Sequence, residues 1–170
     1  MHLSSNILIP EERIEERVAA MADAIAADTP DGTELSVIAL MDGAFMFCAD
    51  LVRRLPMPVR LAMTPVLSVE RGGDPGRVML PLDFPVEGAD VLIVEDILDT
   101  GRTLAALKER LLRKRPRRLR IAVLLDKPAR RQARIEPDYV GFEVPDRWVV
   151  GYGLDADGLW RNLPYISYVE

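Results

Sequence analysis

The sequence predicts an α/β protein built on a doubly wound parallel sheet. Three short apolar runs, at 35–40, 91–94 and 119–125, have the length and composition of buried strands. Segments with helical apolar spacing lie between them, and strands that alternate with helices form parallel sheets with right-handed crossovers. A chain of 170 residues, 49% of them hydrophobic, usually folds as one domain with a substantial core.

The N-terminal part begins with an amphipathic helix. Over residues 10–27, apolar residues recur every three or four positions and acidic residues fill the first turn, which indicates a helix opened by proline. Asp31-Gly32 ends this helix in a turn. The strand at 35–40 follows, and a second helix is predicted over 44–55.

The middle of the chain contains the remaining strands and helices. A strand over 59–66 precedes the stretch 68–77, whose glycines, charges and lack of periodicity predict a mobile loop. The most strand-like segment, 91–94, leads into a predicted helix over 103–115 and then into the last buried strand. The tail, 139–168, contains only short apolar runs, so we expect small strands and loops folded over the sheet.

Composition excludes several classes of function. The net charge of −5 argues against a general affinity for nucleic acid or for anionic membranes, because those partners favour a basic surface. With Cys48 and His2 as the only residues of their types, there is no disulfide framework, no His/Cys zinc site and no Ser-His-Asp or Cys-His dyad. No stretch resembles a membrane span or a signal peptide, so a cytoplasmic protein is expected.

The end of the strand at 91–94 carries the clearest chemical signal. The segment VLIVEDILDTGRT runs from a buried strand through two adjacent acids and a third acid to a Thr-Gly turn and a helix. Ligands of open α/β sheets bind outside the carboxyl ends of the strands, which is where this segment lies. The backbone N–H groups of 100–103 can cradle a phosphate at the helix N-terminus, Gly101 allows close approach, and Thr103 adds a hydroxyl.

Glu95 and Asp96 need other partners, because like charges repel. Ribose hydroxyls or a hydrated cation would satisfy them, so a phosphorylated ribose fits the segment. The alternative is an acidic surface turn before a helix. A P-loop and a dinucleotide-binding fingerprint are both absent. Asp99-Thr100-Gly101 also matches the triplet of aspartic proteases, but that site needs a partner carboxylate, and a helix follows the triplet here.

The segment VLIVEDILDTGRT resembles the phosphoribosyl-pyrophosphate motif of the phosphoribosyltransferases, and the rest of the chain resembles their hypoxanthine-guanine branch. The blocks GAFMFCADLVRRL, LLDKPARR and PDRWVVGYGLDADGLWRNLPYI carry this likeness, in order, from the first strand onward. The resemblance implies one domain over 1–170 with the type I phosphoribosyltransferase fold. Its core would occupy about 35–140, and a small hood would form from about 1–30 and 141–170.

The resemblance also implies an activity in purine salvage. The 5-phosphoribosyl group of phosphoribosyl pyrophosphate would move to N9 of hypoxanthine or guanine, giving IMP or GMP and pyrophosphate. Pyrophosphate would leave through an oxocarbenium-like transition state while Mg²⁺ neutralises the departing charge. The loop at 68–77 would be the lid that excludes water, and a homodimer or homotetramer is expected.

Roles for single residues follow from the same resemblance. Asp99 would be the general acid/base at purine N7, and Lys127 would reach the purine O6. Trp148 would stack on the base, and the backbone of Val149 would meet its edge. The remaining ligands would be Glu95 and Asp96 for the ribose hydroxyls and Mg²⁺, Asp155 for Mg²⁺, Thr100, Gly101, Arg102 and Thr103 for the 5′-phosphate, Asp42, Gly43 and Arg161 for pyrophosphate, and Ser68 in the lid.

Two positions depart from the family pattern. Asp42 stands where the family usually carries a basic residue, in the turn that meets pyrophosphate, and Ser68-Val69 stands where the mobile loop usually carries Ser-Tyr. Three alternatives therefore stay open. The protein is a salvage enzyme for hypoxanthine or guanine, an enzyme for another 6-oxopurine such as xanthine, or a weakened relative that senses nucleotides or binds RNA through the basic run 113–120.

Overall fold

A sheet flanked by helices accounts for most of the chain in the computed structural model, which describes residues 2–67, 77–78 and 83–170. The elements are α1 (Glu11–Ala27), β1 (Leu35–Met41), α2 (Phe45–Val52), β2 (Val59–Leu67), β3 (Arg77–Val78), β4 (Asp90–Leu98), α3 (Arg102–Leu112), β5 (Arg118–Asp126), a 3-10 turn (Pro128–Arg130), β6 (Tyr139–Glu143), β7 (Val149–Val150) and β8 (Ser167–Tyr168). The predicted lid lies outside the described residues except for Arg77, so Ser68 and Val69 are not placed.

The strand order confirms the predicted doubly wound sheet. Five strands are parallel, in the order β2-β1-β4-β5-β6, and β3 pairs antiparallel with the outer edge of β2. The chain crosses from β1 through α2 to β2, and from β4 through α3 to β5. Because these crossovers lead away from each other, the topological switch point lies between β1 and β4. Ligand sites of open α/β sheets lie at this point.

Alternating side chains of the central strands form a core on each face of the sheet. Leu92 and Val94 of β4 pack on the same side as α1 and α2. Val91 and Ile93 pack on the other side, where α3 contributes its apolar stripe. Parallel strands covered by helices on both faces are expected to be apolar throughout. The central strands were predicted from this same apolar pattern in the sequence.

The strand β4 is longer than the sequence predicted. It continues past the apolar run to Leu98, so Glu95 and Asp96 belong to the strand and not to a loop. Parallel pairing with β5 keeps this charged end extended, with Glu95 opposite Val123. The predicted helices, by contrast, are shorter than expected: α2 ends at Val52 and α3 ends at Leu112.

The tail differs from its prediction in one respect. Its first strand, β6, does not fold over the sheet but extends it, because it pairs in parallel with β5. The rest of the tail forms a small hood with the first residues of the chain, with β7 antiparallel to β8 and Ile9 bridged to Ile166, but α1, which lies within the predicted hood segment 1–30, packs in the core of the sheet. Among the helices that the structure describes, none has both the length and the apolar composition needed to cross a bilayer.

The second half of the basic run 113–120 leads into β5, which begins at Arg118, and its arginines bind neighbouring segments. Arg117 and Arg118 both bind Asp90, whose side chain is fully buried, at Nη2–Oδ2 distances of 2.8 and 3.0 Å. Arg120 is itself buried and donates hydrogen bonds to the hydroxyls of Tyr139 and Thr29. These arginines therefore fasten the amino ends of β4 and β5 to neighbouring segments.

We expect the Asp90→Asn substitution to lower the free energy of unfolding at pH 7 by about 2 kcal/mol. The hydrogen bond from Arg117 and, after it, the interactions with Arg118 hold the pKa of Asp90 at about 2, although burial acts in the opposite direction. A pKa below that of the unfolded chain stabilises the fold above pH ~4, and this stabilisation is lost as the pH falls toward 2.

Urea denaturation between pH 2 and pH 7 measures this effect. The difference between wild type and variant should shrink as the pH falls below ~4, where the unfolded-state carboxyl becomes protonated. The exposed Asp31, which makes no described side-chain hydrogen bond, provides a matched Asp31→Asn control with little expected effect. A difference between wild type and Asp90→Asn that does not vary with pH would contradict the assignment.

Candidate active site at the sheet switch point

A cavity of about 320 Å³ lies where β1 and β4 end side by side. Nearly all the residues predicted to bind ribose, phosphate or metal line it, although they come from four separate segments. These are Asp42, Gly43, Glu95, Asp96, Asp99, Thr100, Gly101, Thr103, Asp155 and Arg161. Arg102 is not among them, because its side chain is exposed at the start of α3. The structure thus brings together ten of the predicted residues.

The segment 99–103 comprises the turn between β4 and α3 and the first two residues of α3. It forms one wall of this cavity and is here called the phosphate loop. Gly101 caps α3 with a φ of +75°, a left-handed conformation that favours glycine. A Cβ at this position would lie 2.7 Å from Cγ2 of Ile135, so the space is closed as well. The backbone carbonyl of Thr100 accepts hydrogen bonds from the N–H groups of Gln132 and Ala133, at 3.0 and 3.1 Å. These hydrogen bonds fasten the phosphate loop to residues 132 and 133, which do not line the cavity.

Glu95 and Asp96 are adjacent, partly buried acids on the opposite wall. The pKa of Glu95 is raised well above its ordinary value, first by burial and then by the charge of Asp96. Burial also raises the pKa of Asp96, against hydrogen bonds and the charge of Arg161, which lower it. Among the described residues, neither carboxylate forms an ion pair. A cation or hydroxyl donors would stabilise the charged form of this pair.

The turn after β1 packs directly against Asp96. A Cβ on Gly43 would lie 1.6 Å from Oδ2 of Asp96, and a Cβ on Gly153 would lie 2.2 Å from the carbonyl oxygen of Gly43. At both positions any side chain would therefore collide with a neighbouring oxygen, so only glycine fits. They let the hood loop, the first-strand turn and the end of β4 meet at backbone distance.

Arg161 connects the hood to the same turn. Its Nη1 donates to the carbonyl of Gly153 at 2.7 Å, and its Nη2 lies 3.0 Å from Oδ1 of Asp155 and 3.8 Å from Oδ2 of Asp42. The side chain of Asp42 is 76% exposed. The acid that departs from the family pattern thus faces solvent at the cavity rim, where it shares an arginine with Asp155.

A second cavity, of about 350 Å³, adjoins the first and shares Asp96, Ile97, Asp99 and Asp155 with it. Its other walls include the predicted base-binding residues Lys127, Trp148 and Val149. The two cavities meet at Asp99, which the sequence singled out as the acid/base.

The polar groups of the second cavity are held by backbone oxygens. Lys127 is buried, and its Nζ donates to the carbonyl of Arg147 at 2.6 Å. Burial lowers the pKa of Lys127, while the charge of Asp99 acts to raise it. Trp148 is 61% exposed, and its indole N–H donates to the carbonyl of Asp155 at 3.0 Å. This bond orients the indole along the cavity rim.

Sequence reasoning missed Arg130, which lines the second cavity. Its Nε donates to Oδ1 of Asp99 at 2.6 Å, and its Nη1 lies 3.3 Å from Oδ1 of Asp146. The block LLDKPARR was used only for its lysine, although two arginines follow within the same block. Three basic residues close together after a buried strand were the available signal.

The structure does not gather the predicted metal ligands into one cluster. Glu95, Asp96 and Asp155 line the same cavity, but in the described part of the chain no three His, Cys, Asp or Glu side chains converge as a metal site. Mg²⁺ commonly binds through one or two carboxylates and completes its shell with water and substrate phosphates. Carboxylate pairs on this wall are compatible with that mode.

The fold and the two adjoining cavities define a phosphoribosyltransferase-type site. The chain belongs to the phosphoribosyl transferase domain family, whose model matches residues 6–157. This confirms the resemblance inferred from 91–103 and the flanking blocks.

Individual relatives extend this result over nearly the whole chain. A hypoxanthine phosphoribosyltransferase of Salmonella typhimurium is 40% identical over 96% of this chain and 94% of its own length. A hypoxanthine-guanine phosphoribosyltransferase of Staphylococcus epidermidis is 43% identical over 97% of this chain and 93% of its own. The crystal structure of a hypoxanthine-guanine phosphoribosyltransferase from Bacillus anthracis, with HEPES in its active site, superposes with a TM-score of 0.93 at 36% identity, covering 99% of this chain and 100% of that one.

The Gly101→Ala substitution should weaken binding of a nucleoside 5′-monophosphate by about tenfold or more, because the added methyl group displaces the phosphate loop. Titration calorimetry with inosine 5′-monophosphate measures the affinity. Gly32→Ala is the matched control: Gly32 has a similar φ of +72°, but a Cβ there would meet no atom within 4 Å. Equal affinities in wild type and Gly101→Ala would show that the tight contact with Ile135 does not shape the phosphate loop.

Proposed function

We propose that this protein is a purine-salvage enzyme that transfers the 5-phosphoribosyl group of phosphoribosyl pyrophosphate to N9 of hypoxanthine or guanine, giving IMP or GMP and pyrophosphate. The observation that carries the proposal is the pair of adjoining cavities. One has the phosphate loop and acids suited to a ribose diol, the other has a buried lysine and a tryptophan, and Asp99 lies on their shared wall. The names and the extent of similarity of the relatives support the same reaction.

The phosphoribosyl end is assigned to the first cavity. N–H groups at the start of α3 present donors and a partial positive charge to the 5′-phosphate, and Thr103 adds its hydroxyl. Glu95 and Asp96 accept hydrogen bonds from the ribose hydroxyls. Arg161 faces the pyrophosphate from the hood, once its bond to Asp155 is exchanged for the ligand.

The purine end is assigned to the second cavity. Lys127 exchanges the carbonyl of Arg147 for O6 of the base and withdraws electron density from the ring, a role suited to a mobile point charge. Asp99 takes or gives the proton at N7, which requires Arg130 to release its carboxylate. Trp148 covers the face of the base, and the backbone of Val149 meets its edge.

A magnesium ion fits the charge of the first cavity. Five of its described lining residues are acids, Asp42, Glu95, Asp96, Asp99 and Asp155, while Arg161 is the one cationic lining residue in the described part. A polyanionic substrate would be repelled from such a wall without added cations. One or two of the carboxylates of Glu95, Asp96 and Asp155 would hold the hydrated ion, which when bound would neutralise charge on the pyrophosphate.

The regulatory alternative loses its main support in the structure. Every arginine of the run 113–120 has a partner: Arg113 pairs with Glu109, Arg115 with Glu87, Arg117 and Arg118 with Asp90, and Arg120 with Tyr139 and Thr29. Arg117, Arg118 and Arg120 could meet RNA phosphates only by leaving their buried or part-buried partners, which leaves mainly the exposed Arg113 and Arg115, whose surface pairs are weak. The enzyme for another 6-oxopurine, such as xanthine, shares the proposed site and is distinguished by assay.

Nucleotide formation from phosphoribosyl pyrophosphate should occur with hypoxanthine or guanine and should stop when a chelator removes Mg²⁺. Xanthine and adenine are tested in parallel, and chromatography identifies each product. Turnover of xanthine alone would show that the substrate is xanthine and not hypoxanthine or guanine. Absence of turnover with every base, while inosine 5′-monophosphate still binds, would refute the proposed activity. The expected homodimer or homotetramer stays a prediction, which light scattering of the same preparation would check.

The Asp99→Asn substitution should lower kcat on the order of a hundredfold and leave the affinity for phosphoribosyl pyrophosphate nearly unchanged, because it removes proton transfer and keeps the phosphate loop. Steady-state kinetics and calorimetry separate the two quantities. Asp146→Asn is the matched control, since it also removes a carboxylate that binds Arg130, and a much smaller effect is expected. Equal losses in both variants would assign the effect to Arg130 and remove Asp99 from proton transfer.

A further inference from the structure

Arg131 lies behind the phosphate loop and lines neither of the two substrate cavities. Its guanidinium forms an ion pair with Asp126, and only 18% and 16% of the two side chains are exposed. Its Nε also donates to the backbone carbonyl of Asp99, at 3.4 Å. One buried side chain thus touches the end of β5 and the start of the phosphate loop.

These contacts tie together the two halves of the proposed site. Asp126 immediately precedes Lys127, whose backbone N–H donates to the carbonyl of Leu98 at 3.0 Å. The stem of Arg131 also approaches Gly101, where a Cβ would lie 3.1 Å from Cδ of the arginine. The lysine proposed for the base and the loop proposed for the phosphate are therefore fastened to the same guanidinium.

Stability alone does not explain an arginine at this position. Nη1 of Arg131 is buried and makes no hydrogen bond within the described part of the chain. A buried donor without a partner is costly, and apolar residues of similar volume often replace buried ion pairs without loss of stability. The planar guanidinium, however, can bind a carboxylate and a carbonyl simultaneously in a fixed geometry, which a lysine cannot.

We propose that Arg131 is a positioning residue that fixes the phosphate loop relative to Lys127. This inference rests on the proposed function. The reacting ribose carbon and purine nitrogen come from ligands held in different cavities, so their distance depends on the spacing of the two segments. A small misplacement of one segment lowers the rate even when each ligand still binds. Arg131 acts through Asp126 and the backbone of Asp99, and touches neither ligand.

The Arg131→Ala substitution should lower kcat about tenfold to a hundredfold and raise KM for phosphoribosyl pyrophosphate, because the loop loses its brace. Arg131→Lys should retain the positive charge but recover little of the activity, since the ammonium lacks the planar fork that holds both partners in one fixed geometry. Asp126→Ala in the Arg131→Ala background should add little further loss, because the pair acts as a unit. Arg134→Ala is the matched control: Arg134 is exposed in the same segment and makes no described hydrogen bond or ion pair.

Chemical rescue distinguishes positioning from a general loss of structure. A cavity of about 760 Å³, between α3 and the segment 126–137, is lined by both Arg131 and Asp126 and gives free guanidinium a route to the vacated space in Arg131→Ala. Millimolar guanidinium chloride should restore part of kcat in that variant. The same concentration of ammonium chloride should not, and neither salt should raise the activity of wild type or Arg134→Ala.

The outcomes separate this inference from the proposed function. If wild type and Arg131→Ala have the same kcat and KM, or if Arg131→Lys is fully active, the positioning role is wrong. If Arg131→Ala does not fold, Arg131→Lys decides the question by the same kinetics. If wild type forms no nucleotide, the proposed function fails by itself, and calorimetry with inosine 5′-monophosphate then tests the brace. Because this nucleotide carries both the base and the 5′-phosphate, it would occupy both cavities at once and its affinity would depend on their spacing, so equal affinities in wild type and Arg131→Lys would overturn the positioning role.

Discussion

The parallel pairing of β1 with β4 is the constraint on which the rest of the structure depends. The two strands run side by side from Leu35 opposite Asp90 to Ala39 opposite Val94, and their crossovers leave in opposite directions. Beyond these pairs β1 remains paired only with β2, as far as Met41, and β4 remains paired only with β5, as far as Leu98, so the two chain ends separate and leave a crevice. The buried carboxylate of Asp90 with its two arginines fixes the opposite end of this pairing. The position of the crevice is therefore determined both by where the β1–β4 pairing stops and by the Asp90 ion pairs at the opposite end of the strands.

The candidate site concentrates groups that a stable fold would otherwise avoid. Glu95 and Asp96 have raised pKa values, Lys127 is buried with a lowered pKa, and Gly101 is confined to a left-handed conformation in a closed space. Such features persist only where the surroundings determine them strongly. Here the apolar cores on both faces of the sheet and the hydrogen bonds behind the phosphate loop provide that support. Residues that lie behind the ligands are therefore as much part of the site as those that face them.

The fold could be predicted where local pattern and tertiary structure agree. Apolar runs predicted the central strands. The predicted strand at 91–94 stopped before Glu95 because the apolar run ends there, whereas pairing with β5 extends β4 to Leu98. The segment 95–103 was recognisable as a site because its residues are consecutive. The roles of Lys127 and Arg161 were predicted only through the family resemblance, because these residues are distant from 95–103 in sequence and come close to that segment only in the folded chain. Asp126 and Arg131 carried no signal of their own, because an ion pair between residues five apart is indistinguishable in sequence from two surface charges.

The acid at position 42 has a consequence for how the site handles charge. Arg161, the residue proposed to meet pyrophosphate, already pairs with Asp155 at 3.0 Å and lies 3.8 Å from the exposed Asp42, so its charge is partly compensated. A basic residue at 42 would instead add to the attraction for an anion. In the proposed function, pyrophosphate would have to compete with two carboxylates for one guanidinium, and a cation bound near Asp155 would weaken that competition by occupying the carboxylate. In the proposed function, the departure from the family pattern would therefore make anion binding depend less on the charge of Arg161 and more on cations that enter with the ligand.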